Sequence, residues 1–470
     1  MAFSWKLYGD GKTPPIGESV APDERLTWAR TSGIGAQHVV AMFGATFVFP
    51  LIMGLDPNLA IMMSGIATII FLLIVQGKVP SYLGTSASFV GGVFAIRAGG
   101  GDSGDVVGSI LIAGVVLAIV GLIIHYAGAR VLNKILPPAV TGAVVMLIGF
   151  NLAPVVADIY WPQDQWVALA TMTFVIVAAL SLRGFLARIS ILLGLVFGFV
   201  LSWILDQTVG EITSLMPATG EVGPHLRTNF SAVGDAPWFG LPEFTAPSFS
   251  INFSLLVLPA VIALVAENTG HVKAVAEMTK RDLDPDIGRA IFADGIGTAV
   301  ATSVGGSPTT TYAENIGVMA ATRIYSTAAY YIAGLIAILF GLCPKFGALI
   351  AATPGGVLGG ITVVLYGMIG LLGAKIWIEN RVNMGNPINL IPLGAGIILA
   401  VGPVRHVITD DFSLEGIALG TIVVLGGYHL LRALAPAYMK ADLELTPGGG
   451  PPATDQPAAR ADDQPRRTDE

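Results

Sequence analysis

The stretch GGSPTTTYAENIGVMAATR (residues 305–323) determines how this chain of 470 residues can fold. Its neighbours on both sides are apolar enough to lie in lipid, yet the stretch contains Pro308, a run of three threonines, Glu314 and Asn315. Proline and glycine weaken a helix, and a carboxylate inside a bilayer is costly. The stretch therefore predicts an interrupted segment with a function, set among membrane-spanning helices.

Composition indicates a membrane protein. Only 12% of residues are charged and 53% are hydrophobic, against about a quarter charged in soluble proteins, and the mean hydropathy is +0.72. Since about 20 apolar residues cross a bilayer as helix, we predict an all-α polytopic fold. Thirteen windows of at least 16 residues lack Asp, Glu, Lys and Arg: 31–55, 57–77, 79–96, 106–129, 135–157, 165–182, 189–205, 244–266, 295–313, 324–344, 346–374, 382–404 and 416–431.

The distribution of basic residues gives a topology. Fourteen spans result if the window 295–313 ends one span and begins the next at Gly305–Pro308. With a cytoplasmic N-terminus, 21 of the 25 Lys and Arg then fall on the cytoplasmic side, as the positive-inside rule predicts. We therefore predict a multi-pass protein of the cell membrane with both termini cytoplasmic. The exceptions are Arg97, Arg227, Lys345 and Arg405.

Three segments lie outside the predicted spans. Residues 1–30 are polar and lack the pattern of a cleaved signal peptide. Residues 207–248 are rich in Gly and Pro and are interpreted as an external surface loop. The C-terminal segment, 441–470, has the composition of a disordered cytoplasmic tail.

An internal repeat relates the two halves of the chain. VPSYLGTSASFVGG (79–92) and GGSPTTTYAENIGV (305–318) each combine proline with glycines and small hydroxyl residues. Pro80 and Pro308 are 228 positions apart, and His38 and Glu267 are 229 apart. Duplication of a seven-span unit explains both offsets, and an odd number of spans makes the repeat inverted. Paired interrupted segments indicate a transporter's midplane site; kinked packing helices are the alternative.

The ionisable residues within spans are the candidate site. Glu267 lies inside an apolar helix, and His271 follows four residues later on the same face, so the two form a candidate proton carrier or a static structural pair. Glu314 is near a helix N-terminus and is either a ligand group or a cap. His38 is either functional or a structural histidine. Asp294 and His125 are interpreted as structural or near the membrane surface.

These residues indicate a class of ligand. Several hydrogen-bond acceptors in an apolar chamber suit a flat, mostly neutral molecule with N–H donors, and two carboxylates would repel an anion. The sequence has no metal-binding HExxH, no P-loop and no nucleophile–base pair. We therefore expect no enzyme activity, no cofactor, no metal site and no nucleic-acid partner, and transport driven by an ion gradient, with the proton as coupling ion.

The sequence resembles the nucleobase–ascorbate transporters, also called the nucleobase:cation symporter-2 family. ENIGVMAATR (314–323) fits that family's signature at Glu314, Asn315, Gly317, Thr322 and Arg323, and the pairs Gln37-His38 and Glu267…His271 also match. The resemblance covers roughly residues 25–435 and is greatest to bacterial uracil:proton symporters.

The resemblance implies an architecture of fourteen spans in two inverted seven-span repeats. Spans 1–4 (31–129) and 8–11 (249–345) would form a core domain, and spans 5–7 (130–206) and 12–14 (346–435) a gate domain. Spans 3 and 10 would each contain a short strand and a half-helix. A homodimer through the gate domain is also implied.

The resemblance also implies roles for individual residues. Glu267 and Glu314 would accept hydrogen bonds from ring N–H groups, and the backbone amides of Ala87 and Ala313 would donate to ring carbonyls. His271 would assist proton coupling, with His38 a further candidate. Tyr366 would line the gate side of the pocket.

Two departures from the uracil carriers bear on specificity. They usually place Phe at the position of Ala87 and Gly at that of Ala313, although Phe89 lies nearby. Relatives that carry xanthine or urate favour Gln at position 314, so a purine carrier is the main alternative. An anion exchanger on the same architecture would need a positively charged centre.

Overall fold

The computed structural model describes residues 4–15, 17–128, 134–216, 220–402, 404–409 and 412–443. The predicted disordered tail lies outside the described residues from position 444 onward.

Helices make up most of the described chain. Their bounds are α1 Trp28–Met53, α2 Pro57–Ile74, α3 Val90–Ala98, α4 Ser103–Ala127, α5 Pro138–Phe150, α6 Gln165–Ser181, α7 Phe185–Arg188, α8 Ser190–Thr208, α9 Ser231–Asp235, α10 Ile251–Val257, α11 Pro259–Thr279, α12 Ile287–Ser303, α13 Ala313–Thr322, α14 Thr327–Gly341, α15 Pro344–Ala351, α16 Gly355–Glu379, α17 Pro387–Val401, α18 Gly416–Leu434 and α19 Ala437–Ala441. Short helical turns cover Ala87–Phe89, Ala153–Gln163 and Asp284–Asp286.

The class of fold is confirmed, but the number of spans stays a prediction. Among the described residues, eight helical segments are long and apolar enough to cross a membrane, and a ninth results if α14 and α15, bent by 81°, count as one. Other apolar helices, such as α6 and α17, are shorter than a bilayer requires. Fourteen spans in inverted repeats therefore remain an expectation.

In the described parts of the chain, eight short strands pair in twos. They are β1 Lys6–Leu7 with β2 Glu24–Arg25, β3 Leu83–Thr85 with β6 Thr309–Thr311, β4 Ile212–Leu215 with β5 Val222–His225, and β7 Arg405–Thr409 with β8 Phe412–Glu415. The strands β3 and β6 lie in the two interrupted segments, and each is followed by a short helix, α3 or α13. The predicted strand and half-helix at each segment are therefore present.

The helices α4 and α12 pack closely against each other. At Gly121 and Gly288, a β-carbon would overlap the backbone of Phe292 and His125, respectively. The axes of α4 and α12 therefore approach more closely than larger residues would permit, as small residues allow between membrane helices.

The segment 207–248, which the sequence predicts to be an external loop, is bound to the rest of the protein at two places. The guanidinium of Arg227, 9% exposed, pairs at 2.7 Å with Asp164, the N-cap residue of α6, and at 3.2 Å with Asp206 of α8. Further along, the amides of Thr245 and Ser248 donate to the carbonyls of Val304 and Gly104. Most of its described residues are exposed, as expected of a surface loop, and these contacts bind it to α8, to α4 and to the segments next to α6 and α12.

Candidate functional site

The two-stranded sheet of β3 and β6 forms the middle of the candidate site. It is antiparallel, with Gly84 opposite Thr310, and all six strand residues are buried. The sheet extends by one hydrogen bond at each end, from the Tyr312 amide to the Tyr82 carbonyl at 3.0 Å and from the Ser86 amide to the Pro308 carbonyl at 2.9 Å. Two segments far apart in sequence are thereby joined inside the protein.

The outer edges of this sheet are closed by threonines of neighbouring helices. The Thr68 hydroxyl of α2 accepts from the Leu83 amide at 2.9 Å, and the Thr298 hydroxyl of α12 accepts from the Thr309 amide at 3.0 Å. At an unpaired strand edge in a membrane interior, backbone N–H and C=O groups would lack hydrogen-bond partners, which costs free energy. One hydroxyl on each side removes that cost.

Two helix beginnings follow the strands. The short turn beginning at Ala87 leads into α3, and α13 begins at Ala313. Helix N-termini carry unpaired N–H groups and a positive dipole end. Ala313 is exposed and Ala87 is half-buried, so both predicted amide positions border accessible space rather than closed packing.

Glu267 lies on α11 beside the sheet. Its carboxylate is near the Thr310 hydroxyl and close enough to Glu314 and Asp294 for like charges to repel. Glu267 and Glu314 are both partly exposed. One turn from Glu267, the position that a side chain on Gly270 would occupy is open space. The structure therefore brings together the two carboxylates that the sequence predicts, next to an opening.

His271 makes its hydrogen bond to the sheet rather than to Glu267. Its Nδ1 is 2.8 Å from the Thr311 hydroxyl, which donates in turn to Asn268 Oδ1 at 3.2 Å. The Asn268 amide donates to Asp294 Oδ2 at 2.8 Å. Since the Thr311 proton is used on Asn268, Nδ1 of His271 must be the donor, and Nε2 is then the acceptor of the neutral ring.

Asp294 lies in the interior of the protein, beside the sheet. Asp294 is fully buried in α12 and also accepts a hydrogen bond of 3.3 Å from the Thr309 hydroxyl. The alternative that it is structural agrees with these contacts. It ends the chain of donors that begins at His271.

His38 lies behind α13 and links it to α1. The Asn315 amide donates to the His38 carbonyl at 3.0 Å and lies 3.2 Å from His38 Nδ1. The ring of Tyr330 packs against the His38 ring, with centroids 4.2 Å apart. His38 is fully buried, and these contacts agree with the structural alternative; its Nε2 has no hydrogen-bond partner among the described residues.

Tyr366 lies in α16 and is 3% exposed. It belongs to the same continuous apolar cluster as Phe89 and Leu264, which lie next to the sheet and on α11. Its hydroxyl has no hydrogen-bond partner within the described part of the chain. Among the described residues, no hydrogen bond joins Tyr366 to Glu267 or Glu314, so its place beside the ligand stays a prediction.

Sequence reasoning missed the polar residues that support the site. Thr68, Thr298 and Asn268 are ordinary uncharged residues within helices, and nothing in their local pattern marks them. Asp294 carries a signal, because an ionisable group in an apolar helix needs a partner. The partner itself, Asn268, lies on another helix.

Comparison with known proteins places the chain in a family. The Permease family matches residues 29–409. The protein named "Putative pyrimidine permease RutG" of Escherichia coli (strain K12) is 44% identical over 422 residues, which are 88% of this chain and 91% of that protein. A uracil permease of Bacillus caldolyticus is 35% identical over 416 residues, 85% of this chain and 91% of that protein.

A comparison with a solved structure supports the fold of this chain, but not its function. The murine Solute Carrier 26 family member A9 anion transporter, in its inward-facing state, superposes with a TM-score of 0.63 at 11% identity. The superposition covers 90% of this chain and 69% of that one. At such identity the shared feature is the arrangement of helices.

Proposed function

The chain belongs to the Permease family, as a nucleobase–ascorbate transporter, and from this premise we propose that it takes up uracil with a proton across the cell membrane by alternating access. Membership makes it a membrane permease rather than an enzyme. The relatives named for uracil and pyrimidines support the substrate. The observation that carries the proposal is the placing of Glu267 and Glu314 beside two helix beginnings and an opening.

The donors and acceptors of uracil suit this arrangement. An ionised carboxylate only accepts hydrogen bonds, and a protonated one keeps an acceptor oxygen, so Glu267 and Glu314 would bind the two ring N–H groups. Helix amides only donate, so the backbone at Ala87 and Ala313 would bind the ring carbonyls. Tyr366 would close the pocket from the gate side, in place of the aromatic face that Ala87 lacks.

Glu267 is the proposed proton carrier. A carboxylate in a dry chamber is expensive to ionise, so it would lose its proton only when the site is open to cytoplasmic water. His271 would assist, because the donor chain to Asp294 holds the proton on Nδ1 and leaves Nε2 as an acceptor. Crossing with a protonated Glu267 would avoid carrying a net charge through the membrane centre.

Uptake of radiolabelled uracil into proteoliposomes tests the proposal. With an inward proton gradient we expect accumulation of uracil, competition by unlabelled uracil, and little competition by xanthine. Stronger competition by xanthine would assign the protein to purine transport. Accumulation that is the same at two external pH values, with the internal pH fixed, would reject proton coupling.

We also propose a homodimer through the gate domain, with both termini cytoplasmic. Mass measurement in mild detergent should give twice the mass of one chain. A protease that cleaves near the termini should act only on inverted vesicles. A monomer in native membrane extracts as well as in detergent would contradict the dimer.

A further inference from the structure

A separate cavity of about 220 Å³, whose lining includes none of the predicted ligand-binding residues, lies where three helices end together. Its lining comes from the segment after α2, the C-terminal end of α4 and the N-terminal end of α12. The six lining residues are Ile74, Gln76, Leu122, His125, Arg289 and Phe292. Long, uninterrupted apolar helices such as α4 end at the membrane surface, and the basic loops here are those predicted to be cytoplasmic.

One side of the cavity offers unused hydrogen-bonding groups. Arg289 Nη1 and His125 Nδ1 are buried atoms without a hydrogen-bond partner in the described parts of the chain, although Arg289 Nη1 has an ion-pair contact with Asp286 at 3.7 Å, beyond hydrogen-bond distance. Such groups are costly unless something completes them. Gln76 also borders the cavity, held in a left-handed backbone conformation with φ of 56°.

The charge beside the cavity is positive. Lys78 Nζ is 3.2 Å and Arg289 Nη1 is 3.7 Å from the same oxygen of Asp286. Two cations thus share one carboxylate, and the pairing leaves one positive charge over. The neighbouring Asp282 and Asp284 are exposed, so water and salt screen them.

The other side of the cavity is apolar and continues into a lipid-facing surface. Ile74, Leu122 and Phe292 line it. Along α4, Ile119 and Ile123 are each 52% exposed, as residues facing acyl chains would be.

Tyr126 indicates the depth of the cavity in the bilayer. It is 81% exposed at the end of α4, in the position of an aromatic residue at the membrane interface. A ligand in this cavity would therefore have its polar part at headgroup level and its apolar part below.

Close packing of α4 against α12 fixes the positions of the residues that line the cavity. Because α4 and α12 touch through Gly121 and Gly288, the backbone of His125 lies against that of Gly288, next to Arg289. The two unpaired nitrogens are therefore held on one side of the cavity by contacts that do not depend on a ligand.

We propose that this cavity binds the phosphate of an anionic phospholipid, with its acyl chains along α4. A phosphate brings only acceptors, so it can accept a hydrogen bond from Arg289 Nη1, and from His125 Nδ1 in the tautomer that carries its hydrogen on that nitrogen. Basic pockets between membrane helices on the cytoplasmic side suit such headgroups. A zwitterionic lipid would bring its own cation toward Lys78 and Arg289.

Native mass spectrometry of the full-length protein in mild detergent tests this proposal. We expect bound phosphatidylglycerol at lower concentration than phosphatidylcholine. Arg289→Gln should weaken phosphatidylglycerol binding about fivefold, the equivalent of about 1 kcal/mol per cation near an anionic surface. Leu122→Trp, which fills the cavity and keeps every charge, should displace the lipid, and Arg289→Lys should retain most of the binding.

A matched control and a competing source complete the design. Lys375→Gln removes a cation paired with Glu379 at 3.5 Å on another helix, and it should leave lipid binding unchanged. Equal binding of the two lipids, or equal loss in Lys375→Gln and Arg289→Gln, would overturn the proposal. Inorganic phosphate that displaces the lipid at micromolar concentration would show a site for free phosphate, which also overturns it.

Discussion

Gly84 lies directly against the ring of Tyr312, so that a β-carbon at residue 84 would overlap Cζ and Cε2 of that ring. The Tyr312 hydroxyl continues past Gly84 and donates to the Thr85 carbonyl at 2.8 Å. Tyr312 thus crosses the sheet from β6 to β3 and closes the outer edge of the opposite strand. Its packing and its hydrogen bond both require the absence of a side chain at residue 84.

Gly84→Ala should therefore destabilise the sheet. Overpacking of a filled site costs about 1–3 kcal/mol, and here it would also displace the helix beginning at Ala313. We expect a lower unfolding temperature in detergent and a loss of substrate uptake. Gly426→Ala, at a helical glycine with nothing within 4 Å, is the control and should change neither measurement.

Thr298→Val should weaken the protein through the sheet edge. Valine keeps the shape but leaves the Thr309 amide without its acceptor, at a cost of about 1–3 kcal/mol. Thr173→Val removes a hydroxyl bonded within an exposed helix turn and serves as the control. Equal unfolding temperatures for the two variants would show that the edge hydroxyl is dispensable.

Glu314→Gln tests the ligand role of the second carboxylate. The amide supplies a donor where the carboxylate only accepts, so uracil uptake should fall about tenfold or more, while competition by xanthine should increase. Glu379→Gln, an exposed carboxylate paired with Lys375, is the control for loss of one charge. If xanthine competes equally with uracil uptake in Glu314→Gln and in the unaltered protein, Glu314 serves only as a helix cap.

Glu267→Gln tests proton coupling. Glutamine imitates the protonated carboxylate permanently, so accumulation driven by a pH gradient should disappear. Residual exchange of internal for external uracil should become independent of pH. Glu277→Gln, on an exposed position of the same helix, should keep coupled uptake. A Glu267→Gln protein that still concentrates uracil would move the proton site to His271 or His38.

Asp294→Asn tests the donor chain from His271. The carboxylate accepts from Asn268 and from Thr309, whereas an amide keeps one acceptor oxygen, so one donor loses its partner. We expect coupled uptake to fall about tenfold or more, as the loss of a hydrogen bond to a charged group implies.

The hydrogen bonds from His271 to Asp294 also fix the tautomer of His271. Nitrogen NMR of isotope-labelled protein measures which ring nitrogen of His271 carries the proton. In Asp294→Asn the proton should no longer be confined to Nδ1. Asp158→Asn, at an exposed position, should leave both uptake and the His271 signal unchanged. An unaltered tautomer in Asp294→Asn would disconnect Asp294 from His271.

Local chemistry predicts a large part of the site. Pro80 and Pro308 interrupt two apolar segments, and their neighbours are too rich in glycine and hydroxyl groups for continuous helix. The ionisable residues Glu267 and Glu314 stand out because lipid does not tolerate unexplained charge. The antiparallel strands themselves were implied by the family resemblance rather than by propensity.

Long-range pairing accounts for what the sequence did not predict. The i, i+4 spacing of Glu267 and His271 predicts a shared helix face, but not that the imidazole bonds to Thr311. That partner comes from a strand whose position depends on β3, in the other half of the chain. Helix length alone does not determine the number of spans either, because α6 and α17 are shorter than the thickness of the bilayer.

The sheet also has a consequence for biosynthesis. Gly84 pairs with Thr310, which is 226 positions further along the chain and is therefore translated later. Ribosomes add about 5–20 residues per second. The first strand therefore exists for roughly 10–45 s before its partner has been translated. Throughout that interval the nascent N-terminal half contains the β3 segment without the backbone partners that β6 supplies, so its inward-facing N–H and C=O groups are completed only after the second half has been made.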